Sequence, residues 1–75
     1  MNGRYEISKE VVPGVLREVV FTSDNIEDIK HELAGYMVLD DLQPGELFKH
    51  YTVTDAQNPG AVTLEVFSWT PPLKT

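Results

Sequence analysis

Leu47-Phe48-Lys49-His50-Tyr51-Thr52-Val53-Thr54 alternates with a period of two: Leu47, Tyr51 and Val53 fall on one side, Phe48, His50, Thr52 and Thr54 on the other. Residues 61–69 repeat the pattern, with Val62, Leu64 and Val66 opposite Thr63, Glu65, Phe67 and Trp69. Such alternation marks a half-buried strand. The loop between the two runs is built on Asn58-Pro59-Gly60, a strong breaker signal. Together they read as a long C-terminal hairpin, and the rest of the chain is expected to assemble around it. Pro71-Pro72 removes two backbone donors, so residues 70–75 read as an extended tail.

Upstream, residues 4–8 place Tyr5 and Ile7 opposite Arg4, Glu6 and Ser8, a first strand. Pro13-Gly14 marks a turn. Residues 15–22 are rich in β-branched side chains and read as a second strand. Val15, Val19 and Phe21 share one of its faces, interrupted by Arg17, while Leu16 and Val20 take the other with Glu18 between them. Apolar groups on both faces imply a central strand, or one covered by a partner. The period then changes. Asp24 followed by Glu27 resembles a capping box, Ile26, Ile29 and Leu33 recur at helical spacing, and Gly35 stands where a C′ glycine belongs. One helix is expected over residues 24–34. Tyr36-Met37-Val38-Leu39 is either a third strand or a packed connection. Gln43-Pro44-Gly45-Glu46 has the pattern of a type II turn.

The expected order is therefore β-β-α-(β)-β-β. It describes an α+β domain over residues 1–69: a small antiparallel sheet of four or five strands, with one amphipathic helix packed on one face. A chain of 75 residues holds one such core and no more. Domains of this size bury only about 60% of their unfolded surface. Those without disulfides or metal often gain stability by association. The helix covers only part of the sheet, which leaves Phe48, Phe67 and Trp69 on the far face. These aromatic side chains either pack on the chain's own hairpin and tail or anchor an interface, and a homodimer is the expected assembly.

The composition excludes several kinds of chemistry. Twelve acids against six bases leave a net charge of −6, which argues against direct nucleic-acid binding. There is no cysteine, hence no disulfide and no thiolate site. No apolar run approaches the length of a membrane span, and the N-terminus does not resemble a signal peptide. A cytoplasmic protein with no membrane contact is the expectation. His31 and His50 lie in different elements without zinc-ligand spacing, and Asp40, Asp41 and Glu46 lack the EF-hand pattern, so no metal and no cofactor are expected. The serines have no nucleophile-elbow context. No catalytic residue is assigned.

One asymmetry remains. Residues 24–46 hold seven acids and the single base Lys30, which accounts for the whole net charge, while the five acids and five bases elsewhere cancel. On the expected helix Asp24, Glu27, Asp28 and Glu32 lie opposite the apolar stripe with His31 among them, and Asp40 and Asp41 extend the patch. Solvated acids keep a small domain soluble. The sharper reading is a stripe that docks a basic surface of a partner protein. The expected function is accordingly a small acidic, non-enzymatic protein–protein interaction module, adaptor-like or inhibitor-like. An alternative is a small oligomeric enzyme or ligand-binding protein, with a site between subunits around Phe48, His50, Phe67 and Trp69. A third is an inhibitor that mimics nucleic acid.

Overall fold

The computed structural model of the chain describes residues 3–71. Strands β1 (Tyr5–Val12) and β2 (Leu16–Ser23) are followed by helices α1 (Ile26–Leu39) and α2 (Pro44–His50), strand β3 (Tyr51–Asp55) and helix α3 (Ala61–Ser68). The sheet is antiparallel, in the order β2-β1-β3. The α+β class stands. The four or five strands do not: the described residues form a three-stranded sheet with three helices, in the order β-β-α-α-β-α.

The N-terminal hairpin forms as its pattern predicts. Val15 N–H donates to Val12 O at 2.9 Å across Pro13-Gly14, and Gly14 takes φ 72°, the third position of a type II turn. β2 is an edge strand, not a central one. Register shifts leave Val20 of β2 and Val11 of β1 without a cross-strand partner, and bulges of this kind bend and twist a ribbon.

Helix α1 is longer than expected at its C-terminal end. Its N-cap is Asn25 in place of Asp24, with Asn25 Oδ1 accepting from Glu27 N–H at 2.9 Å. Gly35 lies inside the helix, because Met37 extends the buried stripe of Ile29 and Leu33 by another turn. Residues 36–39 are therefore helical, neither strand nor connection. The helix closes with Asp41 in the left-handed region (φ 55°), as Leu42 N–H reaches Met37 O and Asp41 N–H reaches Val38 O. That is the paired closure in which glycine usually stands.

The C-terminal hairpin does not exist. Pro44 and Gly45 open a helix: Pro occupies the first helical position, where its missing N–H costs nothing. Glu46 Oε1 accepts from Gln43 N–H at 3.4 Å, and Lys49 and His50 sit favourably in the last turn. The first half of the 47–54 alternation is thus helix α2, and only the second half is strand. Residues 61–68 form α3, entered from Gly60 at φ 99°. Val62 and Val66, four residues apart, are both buried, whereas Leu64 between them is 72% exposed. Spacing of two and spacing of four both fit Val62 and Val66, and the packing selects four.

Ile7, Tyr51 and Val53 of the sheet, Ile29 and Leu33 of α1, Leu47 of α2, and Val62 and Val66 of α3 make one core. Register places Ile7 beside Val53 and Lys9 beside Tyr51, so the buried strand residues share one face and the helices cover that face. The other face carries Glu6, Ser8, Thr52 and Thr54. Of the tail expected over 70–75, Pro71 is buried, and residues 72–75 lie outside the described residues.

Candidate protein-docking surface

β3 pairs with β1 only from Tyr5 to Lys9. Beyond Lys9 the β1–β2 ribbon continues as two strands, without a third among the described residues. A two-stranded ribbon has no interior of its own. Its apolar side chains Val11, Val12, Val15 and Leu16 are accordingly exposed, with Val15 82% accessible, and exposure continues along β2 to Val19 and Val20 beside Ser8 and Ile7. Gly14 N–H donates to Glu10 Oε2 at 3.2 Å, and Arg17 stands 3.9 Å from the same carboxylate, so the tip is tied by local polar contacts. The two sheet edges differ. Thr63 Oγ1 of α3 donates to Val53 O at 2.5 Å, which ties α3 to β3, whereas among the described residues β2 has no neighbouring strand on its outer side. An open edge with exposed apolar groups is a template for another chain.

The acidic residues form a second surface, and most carry local work. Asp24 Oδ1 accepts from Arg4 N–H at 2.8 Å, and Asp28 accepts from Ser23 Oγ at 2.9 Å. Glu27 lies 3.5 Å from Lys30, which also stands 3.6 Å from Glu65 of α3. Glu32 hydrogen-bonds the Tyr36 hydroxyl, and Asp40 accepts from Tyr51 Oη at 2.5 Å. Asp41 shapes the helix end, and Glu46 the start of α2. His31 is exposed on α1. The structure distributes these residues along α1, from Asp24 before its start to Asp40 and Asp41 at its end, and on to Glu46 of α2, with much of their charge tied to neighbours.

The aromatic group expected on a sheet face is not on the sheet. Phe48 and His50 belong to α2, Phe67 to α3, and Trp69 follows α3. Phe48 and Phe67 meet edge to face at 5.2 Å between the two helices, and Trp69 packs against the core. His50, the last residue of α2, is exposed. The strands expected to present them are helices; Phe67 is 50% exposed, while Phe48 and Trp69 are partly buried against the core. Among the described residues no group of three or more His, Asp or Glu side chains is placed to hold a metal, and no helix is long and apolar enough to cross a membrane.

Two polar clusters had no signal in the sequence, since their partners are far apart along it. Arg4 Nε and Nη2 each lie 2.9 Å from a carboxylate oxygen of Asp55, which is 3% exposed. Asp55 also accepts from Gln57 N–H at 2.9 Å. The bond to Arg4 holds the Asp55 carboxyl below its ordinary range, outweighing the opposing effect of burial. The rings of Tyr36 and Tyr51 stack at 4.8 Å. Burial, then the bond to Glu32 and the charges of Glu32 and Asp40, pushes the Tyr36 phenol up to about 12; burial followed by Asp40 raises Tyr51 as well.

These shifts predict a stability plateau with two flanks. Asp55, depressed in the fold, contributes stability that is full above its unfolded value of 3.8 and is lost as pH falls through the folded value. Tyr36, raised in the fold, contributes stability that is full below its unfolded value of 10.0 and is lost as pH rises towards about 12. Urea unfolding across pH measures both. Asp55→Asn is expected to flatten the acid flank and Tyr36→Phe the alkaline one; unchanged flanks would show that other groups cause them. Comparison of the chain with protein-family models, with curated proteins and with solved structures gives no match.

Proposed function

We propose that the chain is a small acidic protein-binding module without enzymatic activity, which docks another chain through the β1–β2 arm. The observation that carries this reading is the open β2 edge bordered by exposed Val15, Leu16, Val19 and Val20. An exposed apolar patch beside unpaired backbone groups is costly to leave in water and suited to strand addition. The acidic surface of residues 24–46 supports a narrower form, in which the docked partner is basic. Rim charges of that kind steer encounter more than they set affinity.

The test compares the wild-type chain with Leu16→Asp on the arm and Glu27→Lys on α1. Both positions are exposed, so stability should change by about 0.5 kcal/mol or less. A bound protein lost with Leu16→Asp supports docking through the arm. Equal capture by wild type and Leu16→Asp, with circular dichroism showing both folded, sinks it. For a basic partner Glu27→Lys should slow association, and the difference should fade with salt as the Debye length drops below about 10 Å above 0.1 M.

A further inference from the structure

We infer that the outer face of α1 docks a basic, amphipathic helix of a partner protein, packed across Gly35 between an acidic end and an apolar end. The inference rests on the basic partner proposed above. Its face shares no residue with the β1–β2 arm, so the two docking surfaces can fail separately.

Helix α1 carries two stripes. At about 100° per residue, Ile26, Ile29, Leu33 and Met37 span an arc of about 80° and face the core. Asp28, His31, Glu32, Gly35, Val38 and Leu39 span about 120° on the opposite side, at the i, i+3, i+4, i+7 spacing of a helix–helix seam. Val38 is 57% and Leu39 81% exposed; Asp28, His31 and Gly35 are exposed too, and Glu32 is half-buried. Gly35 stands at the middle of this seam. Neither usual reason for a glycine applies within the fold: its φ is not positive, and a methyl group there would meet no other part of the chain within 4 Å. Alanine is the better helix former, so the chain alone favours alanine at that position. A glycine at the centre of an outward seam lets the axis of a second helix come close.

The two ends of the seam set the chemistry of its occupant. Asp28 and Glu32 stand towards the N-terminus of α1. Asp28 accepts from Ser23 Oγ and Glu32 from the Tyr36 hydroxyl, and neutral hydroxyls do not offset the charge of a carboxylate. Lys30, the single base of residues 24–46, lies outside the seam against Glu27 and Glu65. Val38 and Leu39 stand at the other end. The matching segment therefore presents Lys or Arg to the first end and apolar side chains to the second. From Asp28 to Leu39 the seam runs about 16 Å, or three turns, the length of an ordinary helix. A second copy is a poor fit, since each chain carries a net −6 and would bring its own acids to this face.

The probe is a synthetic helix of about 18 residues, leucine on one face and lysine elsewhere, titrated into the isotope-labelled full chain and followed by NMR. A control peptide carries serine for every leucine. Amide shifts should move along residues 28–39 and not on the arm, and binding should fade as salt rises. Gly35→Leu strengthens the helix but fills the seam, so it should weaken binding about tenfold or more in a protein that circular dichroism shows folded. Leu39→Ser should weaken it as well, and Leu16→Asp should not. Wild type that leaves the leucine–lysine helix unbound up to millimolar peptide overturns the inference. So does equal binding by folded Gly35→Leu, or equal binding of the serine control, which would reduce the face to bulk charge. Wild type sedimenting at twice 8.5 kDa while Gly35→Leu stays at 8.5 kDa would give the face to a second copy and overturn the basic occupant. Partner capture lost with Leu16→Asp, beside no effect of Gly35→Leu on the probe, would overturn the α1 face alone and leave the docking role of the arm intact.

Discussion

Val66→Asp is expected to unfold the domain, while Leu64→Asp leaves it folded. Val66 is fully buried in α3 against the core, and a carboxylate there has no partner to offset its lost hydration. The effective cost of burying an unpaired charge is several kcal/mol, comparable to the roughly 5 kcal/mol total stability of so small a domain. Leu64 is exposed on the other side of the same helix, so its replacement should change stability by about 0.5 kcal/mol or less. The pair is informative because residues 64 and 66 share a face in a strand and part company in a helix. Urea denaturation followed by circular dichroism settles it. Equal damage from both substitutions would restore a strand over residues 61–68.

Leu33→Ala tests the other half of the core. Leu33 is fully buried at the centre of the Ile29–Leu33–Met37 stripe that seats α1 on the sheet. Truncating a buried leucine removes transfer free energy and leaves a cavity, together costing about 2–5 kcal/mol. At a urea slope of about 1 kcal/mol/M, the midpoint should fall by two molar or more, or the transition should vanish. A loss below about 1 kcal/mol would mean that the helix does not sit on the sheet through this stripe.

The two halves of the chain differ in how much of their structure is legible in the sequence. β1, its turn and β2 are readable because local cues agree there: period two, β-branched residues, and Pro-Gly where the turn needs φ above zero. The start of α1 is readable from its polar residues to within one position. Its end is hidden because Gly35 resembles a terminator, and only Met37 docking on the core outweighs its cost of about 1 kcal/mol inside a helix. α2 and α3 mislead for a different reason. Val62, Thr63, Val66 and Phe67 favour strands locally, and a turn that opens with Pro-Gly looks the same whether a strand or a helix follows. The decision belongs to tertiary packing, with Val62 and Val66 buried together and Thr63 capping the β3 edge. The proposed docking surface is half legible: apolar residues on both faces of β2 imply a central place or a partner, and the strand order removes the first option. Arg4 and Asp55 gave no hint of each other across 51 positions.

That separation also sets an order of events as the chain is made. β1 is the middle strand, yet its two partners reach it at different times: β2 follows at once through a tight turn, while β3 begins at Tyr51. A hairpin of this kind closes in about 1–10 μs. At about 5–20 residues per second, synthesis of the residues between β2 and β3 takes seconds. Throughout that interval β1 waits with one side unpaired, and Ile7, later at the centre of the core, stays open to water and to other nascent chains. The last closure, β3 onto β1 with Arg4 locking to Asp55, bridges the longest loop in the molecule and should limit the rate of folding. A chaperone that shields apolar hairpins would find its substrate here, and crowded synthesis of this small protein should favour inclusion bodies over slow, dilute expression.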